Sequence, residues 1–284
     1  MFHISFILVL FLYQLAVGCV LVLAMMPLKE VDRRFYQLSC GLSSIFMAVA
    51  LGLAFYYPFD LPKNFNVSVE QLNGWPRVAT GFFLAFLSVV FWTYVRLRRN
   101  IIAHAKGFVR FAALLGVLAL AMEGLVFRPA SLYGGLKALV MPVDFITAAA
   151  FLGVFMLAMV FGHWYLVQAM PKSLLRRMTE ILFVILVIRI LVVGGSLWVY
   201  AVGVQGGAEA IRGMMDIFHG HGLFFWQRIL TGLGIPLILS YMIWATARIG
   251  ANQSATGLLY VGVVFVIIGE IISKYMFILS GIPI

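Results

Sequence analysis

The sequence predicts an all-α integral membrane protein, a bundle of eight transmembrane helices forming a single domain over residues 1–284. Three observations carry this. Hydrophobic residues make up 64% of the chain and charged ones only 11%, against about 25% charged in an ordinary soluble protein. The apolar residues come in repeated runs about 20 long, the length that crosses a bilayer core as a helix. The polar residues gather in short connections, none long enough for a separate soluble domain.

Span one covers 4–26 and is closed by Pro27 and the charged run from Lys29 to Arg34. The first residues lack a basic n-region and a convincing small-residue cleavage site, so this stretch reads as a retained span rather than a signal peptide. Span two covers 35–57 and stops at Pro58, before a polar loop with Pro62, Asn64, Asn66 and Asn73. Span three runs over 76–95, ending at Arg96, Arg98 and Arg99, and span four over 108–127. The next connection holds Pro129 and Gly134-Gly135, and Pro142 sits where a first-turn proline belongs, since its missing N–H costs nothing there. Span five covers 143–168, with Pro171, Lys172, Arg176 and Arg177 at its boundary, and span six covers 178–202. A glycine-rich polar stretch, 203–220, precedes span seven at 221–246. Within span seven, Gly232-Leu233-Gly234-Ile235-Pro236 is expected to interrupt a straight helix. Span eight covers 255–279, followed by Gly281 and Pro283. The small residues Gly41, Ala48, Gly52 and Gly153, Ala158, Gly162 are compatible with close helix contacts. There is no internal repeat to support an inverted-repeat transporter.

The net charge of +10 is distributed in the connections rather than on one face. That pattern fits orientation signals and lipid contact, not a nucleic-acid surface. The connections after spans one, three, five and seven carry Lys29, Arg33, Arg34, Arg96, Arg98, Arg99, Lys106, Arg110, Lys172, Arg176, Arg177 and Arg248. The opposite side carries Lys63, Arg77, Arg128, Lys137 and Arg212. By the positive-inside rule both termini lie outside. Cys19 and Cys40 are the two cysteines, read as buried thiols; an iron–sulfur cluster takes four thiolates, so none is expected in this chain.

Charges inside the spans are the informative exceptions, because an ionisable group at membrane depth is expensive. Counting 1.5 Å per helical residue, Arg228 lies about 10 Å in from the outer surface on span seven and Glu270 about 13 Å in on span eight. A Glu270–Arg228 pair is therefore plausible. Lys274 follows Glu270 in the i,i+4 arrangement that favours a pair on one helix face. Glu123 lies about 6 Å below the outer end of span four. Asp144 opens span five on the same side, and His219, His221 and His3 flank the same level. Carboxylates and histidines opening to one face can accept or release protons, and a quinol ring would fit such a place. Beside this stands a structural reading, in which Glu270 and its cations only fix helix registration while Glu123, Asp144, His219 and His221 face water or a loop.

Arg189 lies about 16 Å into span six, too deep to snorkel, so it should pair inside the bundle or line a cavity. Glu270 is available to either Arg189 or Arg228. His163 sits near the inner end of span five beside Trp164 and Tyr165, as in an interfacial belt, and His104 lies in an inner loop. Haem b on His104 and His163, or on His3 and a histidine near span seven, is a lesser reading, since only His163 lies clearly within a span.

With these residues in place the chain resembles the membrane anchor subunits of molybdopterin oxidoreductases, the DMSO reductase anchor and NrfD-like (polysulfide reductase anchor) superfamily. Length and span number carry the resemblance over the whole chain. Two stretches carry it locally. Arg228-Ile229-Leu230-Thr231-Gly232-Leu233-Gly234-Ile235-Pro236-Leu237 is similar to the arginine followed by glycine and proline-leucine of the penultimate helix. Gly269-Glu270-Ile271-Ile272-Ser273-Lys274-Tyr275-Met276-Phe277 is similar to the closing helix, with lysine where arginine is more usual. The resemblance implies a multi-pass subunit of a bacterial inner membrane, without haem, that binds menaquinone or ubiquinone near the outer face. It implies electron exchange with an extrinsic iron–sulfur subunit and, through it, a molybdopterin catalytic subunit. Glu270 and Arg228 would shape the quinone pocket and His219 or His221 would relay protons, with 203–220 as a docking surface. The alternatives are a proton-coupled transporter, using the same charges and a broken span seven, or a haem b-binding cytochrome subunit.

Overall fold

The computed structural model describes residues 2–27, 31–56, 75–127, 135–167, 172–218 and 221–284. The described residues form helices and no strand: α1 (Phe2–Met25), α2 (Arg33–Tyr56), α3 (Trp75–Arg98), α4 (Ala105–Val126), a 3₁₀ turn (Gly135–Leu139), α5 (Val140–Val167), α6 (Lys172–Gly203), α7 (Gly207–Met215), α8 (Gly222–Ile229), a π turn (Leu230–Gly234), α9 (Ile235–Arg248) and α10 (Asn252–Ser280). Among the described residues, eight segments are long and apolar enough to cross a membrane: α1 to α6, the continuous α8–α9 segment, and α10.

The centre of the bundle is α1 against α5. These are the most enclosed spans, while α3, α6 and α8–α9 leave most of their surface outside. In lipid, apolar side chains gain little by leaving their surroundings, so close packing depends on backbones that can approach. Gly18 and Gly153 provide this for α1 and α5: a Cβ on Gly153 would lie 2.0 Å from the Gly18 carbonyl carbon, and one on Gly18 would lie 1.8 Å from the Ala149 oxygen. Aromatic rings fill the wider gaps, as where Tyr13 stacks on Phe83 at 4.1 Å. Gly41 and Gly162 also meet neighbours, the Tyr94 ring and the Thr256 hydroxyl, whereas Gly52 faces open space and holds no helix contact.

Polar contacts show which helix ends lie together. Arg33 Nη1 donates to the Leu97 carbonyl at 2.7 Å, joining the start of α2 to the end of α3. Tyr260 and His163 join the start of α10 to the end of α5. At the opposite end Lys137 Nζ donates to the Gly203 carbonyl at 2.7 Å, and the Tyr200 hydroxyl to the Gly281 carbonyl at 3.0 Å. One end of the bundle is thus arginine-rich and the other poor in basic residues.

Two expectations are corrected. Helices α2, α4 and α6 begin at Arg33, Ala105 and Lys172, before the apolar runs do, because long cationic side chains can continue a helix to the interface while keeping their charge in water. The stretch 203–220 contains α7, whose buried Gly207, Ile211 and Met214 share one face. Span seven does depart from a straight α-helix where expected, at Leu230–Gly234, but as a π turn inside one continuous span rather than a break. Pro236 lacks the N–H that an α-helix needs and crowds the preceding turn, and one π turn just before it absorbs the misfit without breaking the span.

Candidate functional site

The π turn has a second consequence, for it lies where span seven crosses α10. A Cβ on Gly269 would lie 2.3 Å from the Gly232 Cα and 3.1 Å from Arg228 Nη1. Two glycines therefore let the helices touch, and the guanidinium of Arg228 is enclosed beside that crossing.

Arg228, Glu270 and Arg189 are fully buried, and Lys274 and Asp144 nearly so. Glu270 is the hub. Its Oε1 accepts from Arg228 Nη2 at 2.7 Å and lies 3.4 Å from Arg189 Nε, and its Oε2 accepts from Lys274 Nζ one turn along α10. Arg189 Nη1 donates to Asp144 Oδ1 at 2.5 Å and approaches the Asp144 carbonyl and the Thr147 hydroxyl at 3.2 and 3.3 Å. Both arginines thus serve Glu270, and Arg189 extends the network from α6 to α5. The chain after α10 folds back over it. Gly281 has a φ of 70°, a left-handed turn natural to glycine, and the buried Ile284 offers its carbonyl oxygen to Arg228 Nε at 3.4 Å and to the Ser273 hydroxyl.

Among its side chains the network carries three cations, Arg189, Arg228 and Lys274, against two carboxylates, Asp144 and Glu270. It also has unused donors. Arg189 Nε and Nη2 and Arg228 Nη1 are buried with no hydrogen-bond partner among the described residues; Arg189 Nε is at ion-pair distance from Glu270 but not aligned to donate. A buried guanidinium with spare N–H groups is costly unless an acceptor answers it. The arrangement can hold an electron-rich oxygen.

Glu123 and Asp144 do not face water: both are buried. Asp144 belongs to the network. Glu123, on α4, joins none of its ion pairs, and its Oε2 has no hydrogen-bond partner among the described residues. Gly124 beside it packs on the backbone at Pro142, close to the start of α5. His221 is an exposed residue capping α8, its ring 6.1 Å from that of Tyr275. It stands at the rim of the network rather than in it. His219 lies outside the described residues, and His3 falls in the first turn of α1. His163 Nδ1 shares a hydrogen bond with the Tyr260 hydroxyl at 2.8 Å, and His104 is an exposed turn residue with φ 60°. Cys19 and Cys40 are free and buried. No group of three or more potential metal ligands occurs among the described residues.

Sequence reasoning missed Thr147, Ser273 and the return of 281–284. The first two carry a faint signal, as hydroxyls one turn from Asp144 and Glu270, whereas the return rests on one glycine. Compared with known protein families the chain matches none, and no curated protein is significantly similar to it.

Proposed function

We propose that the chain is the quinol-binding membrane anchor subunit of a respiratory molybdopterin/iron–sulfur oxidoreductase in a bacterial inner membrane. It exchanges electrons between menaquinone or ubiquinone and an extrinsic iron–sulfur subunit, which serves a molybdopterin catalytic subunit. The observation that carries this reading is the cation-rich network around Glu270, with unused guanidinium donors at the same end of the bundle as the unpartnered carboxylate oxygen of Glu123.

The donor set fits a quinone head group, which needs N–H or O–H donors at its oxygens and a proton acceptor beside it. Arg189 is the donor for that oxygen, through Nη2, since its Nε lies against Glu270. Arg228 Nη1 is walled by Gly232 and Gly269, so Arg228 holds Glu270 in place instead. Glu123 Oε2 is the proton acceptor, and the exposed His221 passes protons on to water. A bound quinol supplies two electrons and two protons. The buried network keeps the site poor in water and holds its charges fixed without reorganisation. A transporter would use the same buried charges, but the broken helix it calls for is here a π turn within one continuous span.

Two measurements test the proposal. Mild purification of the tagged chain, with mass spectrometry and an optical spectrum, should recover an iron–sulfur protein and a molybdopterin protein. A lone colourless chain, in a preparation shown to retain peripheral partners, would overturn it. Glu123→Gln should leave the complex assembled and lower quinol oxidation by at least about a hundredfold, the smaller end of what a positioned proton acceptor contributes; unchanged turnover removes Glu123 from the site.

A further inference from the structure

At the arginine-rich end the flank of the bundle is not smooth. A groove of about 910 Å³ opens between α2 and α3, reaching the Trp164 indole on α5. Arg34 and Ala48 mark its length on α2, about 21 Å along the helix axis. Its walls are mostly apolar, with Phe91 opposite. The narrow side chains at Gly41 and Ala48 leave it open, Gly41 already lying close against the Tyr94 ring.

The polar groups are concentrated at the mouth. Arg33 spends one N–H on the Leu97 carbonyl. Arg34 is exposed, and its side chain has no partner among the described residues. Asp32 does not neutralise it through contact, because its Oδ1 accepts the Arg34 backbone N–H at 2.8 Å and caps α2. The Nε1 of Trp164 is buried and has no hydrogen-bond partner among the described residues. Two cations and an unused N–H donor at the mouth of a long apolar cleft complement an anionic head group on a hydrocarbon chain. An uncharged amphiphile would leave both arginines unanswered, and a zwitterionic one would bring a cation of its own beside them.

We propose that this groove is a binding site for an anionic phospholipid of the surrounding bilayer. Arg34 and Arg33 hold its phosphate, the Trp164 indole N–H donates to its glycerol-ester region, and one acyl chain lies along the cleft. Basic pockets between membrane helices recognise lipid head groups by this chemistry. A second basic recess, at Arg176, Arg177 and Arg248, differs in containing Glu180, which pairs with Arg176 at 3.0 Å and offsets part of its charge. The proposal is independent of the quinol assignment.

The test is native mass spectrometry of the full chain in mild detergent, stripped of lipid and titrated with phosphatidylglycerol and phosphatidylcholine of matched acyl chains. Phosphatidylglycerol should bind at least about fivefold more tightly, and Arg34→Gln should remove about fivefold of that affinity, the effect of one arginine near a lipid phosphate. Arg177→Gln, in the second recess, should change nothing. Ser88→Trp, which places an indole in the cleft and keeps both arginines, should weaken both lipids. Equal affinity for the two lipids would overturn the proposal. So would an Arg34→Gln protein that binds phosphatidylglycerol like the parent. Undiminished binding to Ser88→Trp would reduce the site to a surface charge contact and overturn it as well.

Discussion

Glu270 is the residue on which the polar interior depends, since it answers three cations at once. Breaking a buried ion pair from one side leaves uncompensated charge, which costs about 3–5 kcal/mol. Glu270→Gln keeps the shape and removes the anion, so it is expected to lower stability by about that amount, read as an earlier thermal transition in detergent. Lys274 tests the cause. In the Glu270→Gln background Arg189 keeps Asp144, whereas Arg228 and Lys274 lose their carboxylate, so Lys274→Met removes one of the two stranded cations and should recover part of the loss. A double variant no better than the single would show that the damage is not electrostatic. Pairing of Glu270 with Arg228 and Lys274 was legible in the sequence, because helical rise sets depth and i,i+4 spacing sets the helix face. The sequence offered Arg189 and Arg228 as alternatives for Glu270, and that both reach it was not legible, since arginines on different helices are distinguished only by how those helices rotate.

The span count and the order of the helices could be read from apolar runs and proline or arginine stops, for bilayer thickness dictates both. Which faces touch could not, because core-facing and lipid-facing residues are alike apolar. Glycines show this well. Gly52 looked like a contact residue and faces open space, whereas Gly232 and Gly269, on different spans, meet backbone to backbone. The π turn escaped notice for a related reason: Pro236 announces a disturbance in the helix but not whether it becomes a break or a wider turn. These differences predict a contrast. Gly269→Ala forces its Cβ to within 2.3 Å of the Gly232 Cα, a backbone contact that cannot rotate away. It should cost about 1–3 kcal/mol, the usual range for overpacking. Gly52→Ala should be within about 0.5 kcal/mol of the parent, as an unobstructed surface change. Equal melting of the two variants would mean that the α8–α9 and α10 backbones separate more easily than their packing implies.

At the scale of the whole molecule the two ends of the bundle differ in kind. The arginine-rich end carries the long, mostly apolar groove between α2 and α3. The other carries the buried network and, above it, α7 with the turn that follows. Residues 215–218 are tied in place: the Trp226 indole N–H donates to the Met215 carbonyl at 3.0 Å, and Asp216 Oδ1 accepts the Phe218 N–H at 3.0 Å. It nevertheless presents Ile217 and Phe218 outward, with Phe218 90% exposed. A fixed aromatic at the same end as the network has the form of a docking anchor, because a buried ring at the centre of an interface supplies much of its binding energy. If the iron–sulfur subunit docks there, electrons leave the chain close to where a quinol would bind. Phe218→Asp should then lower recovery of the iron–sulfur and molybdopterin subunits by about tenfold, equivalent to about 1.4 kcal/mol of binding, while the chain itself stays folded and in the membrane. Loss of the chain from the membrane fraction would place Phe218 among lipid head groups instead. Full recovery of both subunits would move the docking surface away from α7.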